Sequence, residues 1–217
     1  MHVSAALTEG FTVEMIDIKA RIDDAVVHSN ELEQLVAKRQ PFPLQGDRQM
    51  LIAGYWALMV DYHRSILHLL KPEHDLCGGG FALARPMVEA LLRIHMVAEG
   101  SECDVKCIKA DRYRTDFEDV AEELDELFKL GFFAKTFNSE VRRALNSYTH
   151  SGAMQIARRF DGNTITPSYT AAEKWDVVRM CTLAFAMGTV IMTGSLGFDA
   201  ERVRANEVCA EYTKNPA

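Results

Sequence analysis

The strongest constraint on the fold is a run of 19 residues without a charged side chain, MCTLAFAMGTVIMTGSLGF, at positions 180–198. A helix that crosses a bilayer needs about 20 predominantly apolar residues, so this run is almost long enough to do so. Three threonines, one serine and three glycines dilute its apolar character, however, and no second segment of the chain resembles it. We therefore predict a central helix that is buried on most sides within a helical protein.

The segments that precede this run have the 3.6-residue periodicity of amphipathic helices. Apolar residues recur at helical spacing over residues 13–39, which end in RQPFP, and over residues 47–70, after which KPEHD breaks the pattern. A third stripe follows CGGG. Pro86 lies inside this stripe, so the third helix either starts at Pro86 or starts near Phe81 and is kinked by the proline.

Three glycines stand immediately before the third stripe, at positions 78–80. Glycine-rich loops cradle phosphate when they follow a strand and precede a Lys-Ser/Thr pair. Neither condition is met here, so we interpret these glycines as a linker.

Further helices are predicted in the second half of the chain. Residues 103–129 and 138–149 indicate a fourth and a fifth helix. The sixth covers 171–196, because Thr170 and Glu173 have the spacing of a capping box at its start. A short final helix is predicted over 199–212.

The period changes between the fifth and sixth helices. QIARRF and TITPSY flank DGN, and Asp161-Gly162 is typical of a tight turn. This pattern predicts one short β-hairpin near 156–167, with Pro167 at an edge position because proline cannot donate to a neighbouring strand.

These elements predict an all-α fold, a bundle of about six to seven helices with the hairpin as its only strands. Hydrophobic residues make up 48% and charged residues 25% of the 217 positions, which is typical of soluble globular proteins. The chain contains no repeat and no long linker. We therefore predict a single helical domain over 1–217, with its core at roughly 13–200.

The charge distribution points to one region. A net charge of −7 disfavours a broad basic surface that coats nucleic acid, but it is compatible with a local basic site. Residues 111–126 hold eight acidic and two basic residues, which is typical of a solvated helix face. Residues 135–159 hold five basic residues and one acidic residue, so this segment is where a site for an anion is expected.

Cysteine and histidine spacing predicts neither metal nor cofactor. The five cysteines form no zinc or disulfide pattern, and Cys103 and Cys107 are four positions apart rather than three. His63 and His68 point in different directions on one helix. The chain has no Glu-x-x-His pair of a di-iron bundle. An odd cysteine count and an N-terminus without an export signal predict reduced thiols in the cytoplasm.

A second polar group lies on the third predicted helix. Arg85, Glu89 and Arg93 are each four apart, which favours a ladder of surface ion pairs. The alternative is that Arg85 and Glu89 line a polar pocket with His95.

The basic segment contains RRALNSYTHSG at positions 142–152. Seven positions on a helix come within about 20° of two full turns, so Arg143 and His150 share a face, and Asn146 and Ser147 lie between them. We call these four residues the Arg–His strip. It would be about 10 Å long, and Gly152 is well placed to end its helix.

Two interpretations of the strip are open. Arginine grips phosphate with two parallel hydrogen bonds, and histidine can move a proton near neutral pH. His150 could therefore act on the attacking 2′-hydroxyl or the leaving oxygen of RNA, without a metal, while Arg143 holds the phosphate. The candidate binding residues around them are Arg142, Asn146, Ser147, Tyr148, Arg158 and Arg159.

The second interpretation is structural. In it, His150 caps its helix, Asn146 bonds to neighbouring backbone, and the arginines pair with Glu140 or with the acidic helix.

The spacing from Arg143 to His150, on a late helix of an all-α bundle, resembles the arginine–histidine signature of the HEPN superfamily. The stretches ALARPMVEALLRIHMVAEG and NSYTHSGAMQIARRFDGNTITPSY are also similar to a group of bacterial helical proteins of this length without an established activity, over most of residues 45–200. HEPN proteins include dimeric ribonucleases of stress and phage defence, with a composite site across the dimer.

The resemblance implies that Arg143 binds phosphate, that His150 is the general acid or base, and that the chain forms a homodimer. We therefore expect cleavage or binding of RNA. The alternative is a non-catalytic helical module that dimerises or binds a protein partner.

Overall fold

The computed structural model describes residues 16–112, 117–129, 134, 139–150, 152–161, 163–165 and 168–214. Helices dominate this part of the chain, so the predicted all-α class is confirmed. The helices are α1 (Ile18–Ala37), α2 (Gly46–Leu70), α3 (Cys77–Glu99), α4 (Glu102–Lys109), α5 (Phe117–Phe128), α6 (Ser139–Thr149), α7 (Ala153–Ala157), α8 (Ala171–Ser195) and α9 (Asp199–Lys214). The predicted start of the first helix, at 13–15, lies outside the described residues.

Helix α8 is the centre of the fold, as its uncharged sequence predicts. It packs against α1, α2, α3 and α9, and most of its residues are buried. Its buried threonines donate their hydroxyl hydrogens to carbonyl oxygens of the preceding turn, as from Thr182 to Val178 (2.8 Å) and from Thr189 to Phe185 (2.9 Å). Burying them therefore leaves no hydroxyl hydrogen unpaired.

The apolar character of α8 also meets the length and composition of a membrane-crossing helix. In the described part of the chain it is the one helix that does so, and 72% of its most apolar window is buried inside the protein. This burial confirms that it is a core helix of the bundle.

Local signals set both ends of α8. The Thr170 side chain accepts from the Glu173 amide, and the Glu173 carboxylate accepts from the Thr170 amide at 2.9 Å, so the predicted capping box is confirmed. Gly197 has a φ of +74°, and the Phe198 amide donates to the Thr193 carbonyl oxygen (2.8 Å). A glycine in this left-handed conformation ends the helix without steric cost.

The interpretation of residues 78–80 as a linker is wrong, because these glycines form the first turn of α3. A Cβ atom on Gly80 would lie 2.8 Å from the Leu70 side chain of α2. The glycines therefore permit close packing at the α2–α3 turn. Pro86 lies inside α3, which excludes a helix start at that proline.

The fourth predicted helix is divided in two. Helix α4 ends at Lys109, and Asp111 has a φ of +53°, a conformation that a continuing helix cannot contain. Helix α5 then carries much of the acidic run, with Val120, Ala121 and Leu124 buried. Residues 113–116 lie outside the described part.

The hairpin is present but shorter than predicted. Helix α7 takes up the start of the first predicted strand, and strands β1 (Phe160–Asp161) and β2 (Thr164–Ile165) pair in antiparallel register, with Phe160 opposite Ile165. The predicted turn and edge residues, Gly162 and Pro167, lie outside the described residues.

The core encloses one fully buried histidine, His63 of α2. Its Nε2 lies 2.9 Å from the Thr182 hydroxyl and its Nδ1 lies 3.1 Å from the Ser29 hydroxyl. Thr182 donates its hydrogen to Val178, so it accepts from Nε2–H. The Ser29 hydroxyl lies between Nδ1 and the Glu33 carboxylate, 3.3 Å from the latter. Burial lowers the pKa of His63 to about 3, which keeps the imidazole neutral.

Candidate functional site

Helix α6 carries the Arg–His strip and ends where the sequence predicts. Its last residue is Thr149, and the amide of His150 still donates to the Asn146 carbonyl oxygen (3.0 Å). The Gly152 amide donates to the Ser147 carbonyl oxygen at 2.6 Å. A Cβ atom on Gly152 would collide with the Ser147 hydroxyl and lie 3.0 Å from the Ser147 Cα atom, so a glycine is needed for this close approach.

Arg143 and His150, the two ends of the strip, are both exposed to solvent. Among the described residues, neither side chain forms a hydrogen bond or an ion pair. The structural interpretation required His150 to cap its helix and the arginines to pair with acidic residues. The described contacts provide neither interaction for these two side chains.

Asn146 and Ser147, between them, are partly buried. The Oδ1 atom of Asn146 is inaccessible to solvent and accepts no hydrogen bond within the described structure. The expected bond from Asn146 to neighbouring backbone therefore does not involve this acceptor. The side chain of Arg142, the preceding candidate, is outside the described part.

Tyr148 faces the protein interior. It is 6% exposed, and its ring centroid lies 5.2 Å from that of Phe81 on α3 and 6.3 Å from that of Tyr169. This aromatic cluster fixes α6 to α3. Thr149 adds a hydrogen bond from its hydroxyl to the Ala82 carbonyl oxygen (3.3 Å).

Arg158 binds the start of α8. Its guanidinium donates to the Ser168 carbonyl oxygen (3.1 Å) and forms an ion pair with Glu173. Partial burial acts to lower the pKa of Arg158, but the interactions of its guanidinium with Glu173 and Tyr148 together outweigh burial and raise it. Glu173 therefore holds both the N-cap of α8 and this arginine.

Arg159 lies against the first turn of α3. A Cβ atom on Gly78 would be only 2.6 Å from its Nη2 atom, and the neighbouring Gln155 side chain donates to the Gly78 carbonyl oxygen (3.2 Å). Glycine at position 78 makes the room for this arginine.

Tyr148, Arg158 and Arg159 all lie near Tyr169, whose buried hydroxyl has no hydrogen-bond partner in the described structure. Burial raises the pKa of Tyr169, while the two arginines act in the opposite direction. The structure therefore separates the predicted residues into an unpaired, exposed pair, Arg143 and His150, and a group around Tyr169. In that group Tyr148 is buried, Arg158 is partly buried and Arg159 is exposed.

The polar residues predicted on α3 form ion pairs rather than a pocket for a ligand. Arg85 and Glu89 form the expected ion pair at 2.7 Å. His95 is 5% exposed, and its Nε2 atom pairs with Glu123 of α5 at 3.1 Å. Within the described residues, no three His, Cys, Asp or Glu side chains are close enough to hold a metal ion.

Two features that organise this region were not predicted from the sequence. One is Tyr169, and the other is the pairing of Glu173 with Arg158. The capping-box spacing places Glu173 at a helix start. Its pairing with an arginine 15 positions earlier requires the fold, because the two residues lie in different elements. No local pattern marks Tyr169.

Comparison with known proteins identifies a family but no activity. The sequence profile of DUF6988, a family of unknown function, matches residues 56–214. No curated protein and no solved structure is significantly similar to the chain. The matched segment contains α6 with its strip, the group around Tyr169 and the central helix α8.

Proposed function

This chain belongs to the DUF6988 family, and we propose that it is a HEPN-like protein that cleaves RNA without a metal through Arg143 and His150. The observation that carries the proposal is that both side chains are exposed and unpaired within the described structure, Arg143 on α6 and His150 directly after its last residue. A guanidinium and an imidazole held without internal partners are available to a phosphate and to a transferable proton.

The proposed cleavage of RNA needs two proton transfers and one displacement at phosphorus. The 2′-hydroxyl of a ribose gives its proton to a base, and its oxygen forms a bond to the neighbouring phosphorus. The bond from phosphorus to the 5′-oxygen breaks, and that oxygen takes up a proton, which leaves a cyclic phosphate and a 5′-hydroxyl. His150 serves as the base or as the acid, and Arg143 binds the phosphate oxygens as negative charge develops on them.

A homodimer is part of this proposal, because one histidine cannot serve both ends of the reaction in a single step. Exposed apolar residues near the strip support association. Ile156 is 55%, Phe160 48% and Ile165 77% exposed, and the last two are cross-strand partners on one face of the hairpin. A cytoplasmic location and a single domain fit the same proposal.

The second candidate function is a non-catalytic helical module that binds a protein partner. The same exposed apolar residues of α7 and the hairpin favour it, since a protein–protein interface needs buried apolar surface at its centre. In this case the Arg–His strip has no chemical role.

The test is incubation of the purified full-length chain with structured and unstructured RNA in the presence of a metal chelator. We expect cleavage by the wild type and a loss of about 10² to 10³ in rate for Arg143→Ala, which removes the stabilisation of transition-state charge. Arg112→Ala removes an exposed arginine outside the strip and is the matched control. An intact wild-type protein that cuts no RNA, or equal rates in both variants, would reject the enzyme and favour the partner-binding module.

A further inference from the structure

Arg159 differs from its cationic neighbours because no described carboxylate pairs with it. Arg158 is paired with Glu173, and Lys174 is paired with Asp75 at 3.1 Å. Arg159 is exposed, and its side chain forms neither a hydrogen bond nor an ion pair within the described residues. A guanidinium is always charged and carries five N–H donors, so this one is available to an anion.

Packing against α3 fixes the position of this charge. Gly78 is buried in the first turn of α3, and a Cβ atom there would lie 2.6 Å from the Nη2 atom of Arg159. Gln155, four positions before Arg159, donates from its side chain to the Gly78 carbonyl oxygen (3.2 Å). One edge of the guanidinium therefore lies against α3, although the residue as a whole stays exposed. A side chain held in this way loses less conformational freedom when it binds a ligand.

The end of the Arg–His strip contacts the next turn of the same helix. Thr149, the last residue of α6, donates its hydroxyl hydrogen to the Ala82 carbonyl oxygen at 3.3 Å. Gly78 and Ala82 are four positions apart in α3, so they lie on one face and about 6 Å apart along the helix axis. His150 directly follows Thr149. Arg159 and His150 therefore belong to segments that contact one face of α3 on successive turns.

A strand of nucleotides presents its negative charges in a matching row. When its scissile phosphate lies at the strip, another phosphate lies one nucleotide further along the strand. Arginine binds phosphate with two parallel hydrogen bonds, and such contacts set the register of a strand without reading its bases. We propose that Arg159 binds a phosphate next to the scissile one, so that the substrate is a strand with consecutive phosphodiesters rather than a dinucleotide. This inference rests on the proposed cleavage of RNA at the strip.

The first test is cleavage by the full-length chain of a DNA oligonucleotide with a single ribonucleotide, in which only one bond can be cut. The matched probe has neutral methylphosphonates at the two linkages beside that bond. We expect the wild type to cleave the anionic probe with a kcat/KM about tenfold higher than that of the neutral probe. Arg159→Ala should lower kcat/KM for the anionic probe about tenfold, leave the neutral probe unchanged, and melt with the wild type.

The two probes distinguish this contact from other roles of the arginine. Arg112→Ala, which removes an exposed arginine elsewhere, is the control and should cleave both probes as the wild type does. Equal losses on both probes in Arg159→Ala would mean that the arginine acts on the scissile phosphate or on the fold. No loss on either probe would mean that it does not contact the substrate. Either result overturns the inference but leaves the proposed cleavage intact.

The second test measures binding without chemistry. The probe is an all-DNA oligonucleotide of the same sequence, which lacks the 2′-hydroxyl and is not cleaved. Each phosphate contact to a single strand contributes about 0.7 to the slope of log Kd against log salt concentration. Arg159→Ala should reduce this slope by about 0.7, and Arg112→Ala should not. An unchanged slope in Arg159→Ala would contradict the phosphate contact, whereas a reduced slope in a protein that cuts no RNA would keep the contact and reject the cleavage.

Discussion

His63 and His150 occupy opposite environments in the same molecule. His63 is fully buried between α1, α2 and α8, and both ring nitrogens lie within hydrogen-bond distance of a hydroxyl group. His150 is exposed at the end of α6, and its side chain has no partner among the described residues. Hydrogen bonds within the fold explain why His63 can be buried, because burying an imidazole without hydrogen-bond partners would cost folding free energy.

The contrast shows where function is to be sought. A polar side chain that completes internal hydrogen bonds contributes to stability, whereas an exposed and unpaired one contributes little to it. Arg143 falls in the second class with His150, and Arg158 falls in the first because Glu173 binds it. The following predictions test this division, from the largest expected effect to the smallest.

Replacing His63 by alanine should have the largest effect on stability. The change creates a cavity beside Phe185 and removes one hydrogen-bond partner from each of the Ser29 and Thr182 hydroxyls. We expect the free energy of unfolding to fall by about 3–5 kcal/mol in denaturant titrations. His68→Ala, at an exposed position of the same helix, should cost less than about 0.5 kcal/mol. Similar losses in both variants would refute the structural role of His63.

Acid should weaken the protein through the same histidine. The pKa of His63 is about 3 in the folded chain and about 6.5 when unfolded, so the unfolded chain binds more protons between these values. The stability that depends on a neutral His63 is fully present above about pH 6.5. Below that value the free energy of unfolding falls with decreasing pH, by up to about 1.4 kcal/mol per pH unit.

The acid effect can be isolated between about pH 5 and 6.5, where carboxylates contribute little. There, wild-type unfolding curves should show the slope, and the non-titrating variant His63→Gln should have lost it. His150→Ala, a change on another helix that leaves the His63 contacts intact, is the control and should keep it. A slope that persists in His63→Gln would assign the acid sensitivity to other groups.

Two threonines of α8 provide a matched pair. The Thr189 hydroxyl accepts from the buried Trp56 indole (3.0 Å), whereas the Thr193 hydroxyl donates to backbone carbonyls of its own helix. Thr189→Val leaves the indole unpaired and should cost about 1–3 kcal/mol. Thr193→Val removes no acceptor from another side chain and should be close to neutral. Equal melting temperatures of the two variants would contradict this difference.

Gly152→Ala should have a smaller effect, confined to the strip. The added Cβ atom would lie 3.0 Å from the Ser147 Cα atom, so the end of α6 must shift. We expect a loss of about 1 kcal/mol in unfolding free energy. RNA cleavage should fall further than stability alone explains, since His150 lies two residues away. Gly54→Ala, where the new methyl group meets open space on α2, is the control and should not destabilise the protein.

Much of the fold was predictable because its signals are local. The Thr170–Glu173 capping box and the uncharged run that follows define α8 without reference to any other segment. The glycines at 78–80 were misassigned because tertiary packing, rather than a loop, explains why they are glycines. Gly80 gives room to Leu70, and Gly78 gives room to Arg159, 81 positions later. Composition alone cannot distinguish such close packing from a linker.

The candidate site was predictable only in part, for the same reason. Helical spacing placed Arg143 and His150 on one helix, and the structure leaves both exposed. Helical spacing could not reveal that Tyr148 and Arg158 turn inward. Their contacts, Phe81 and Glu173, are distant in sequence.

The most direct test of the division between the two histidines is to measure melting temperature and metal-free RNA cleavage on the same preparations of wild type and His150→Ala. We predict that the variant melts with the wild type, because an exposed unpaired side chain contributes little to stability, and that its cleavage rate falls by about 10² to 10⁴. A variant that melts well below the wild type, with no RNA cut by either protein, would place His150 beside His63 as a structural residue and contradict the account.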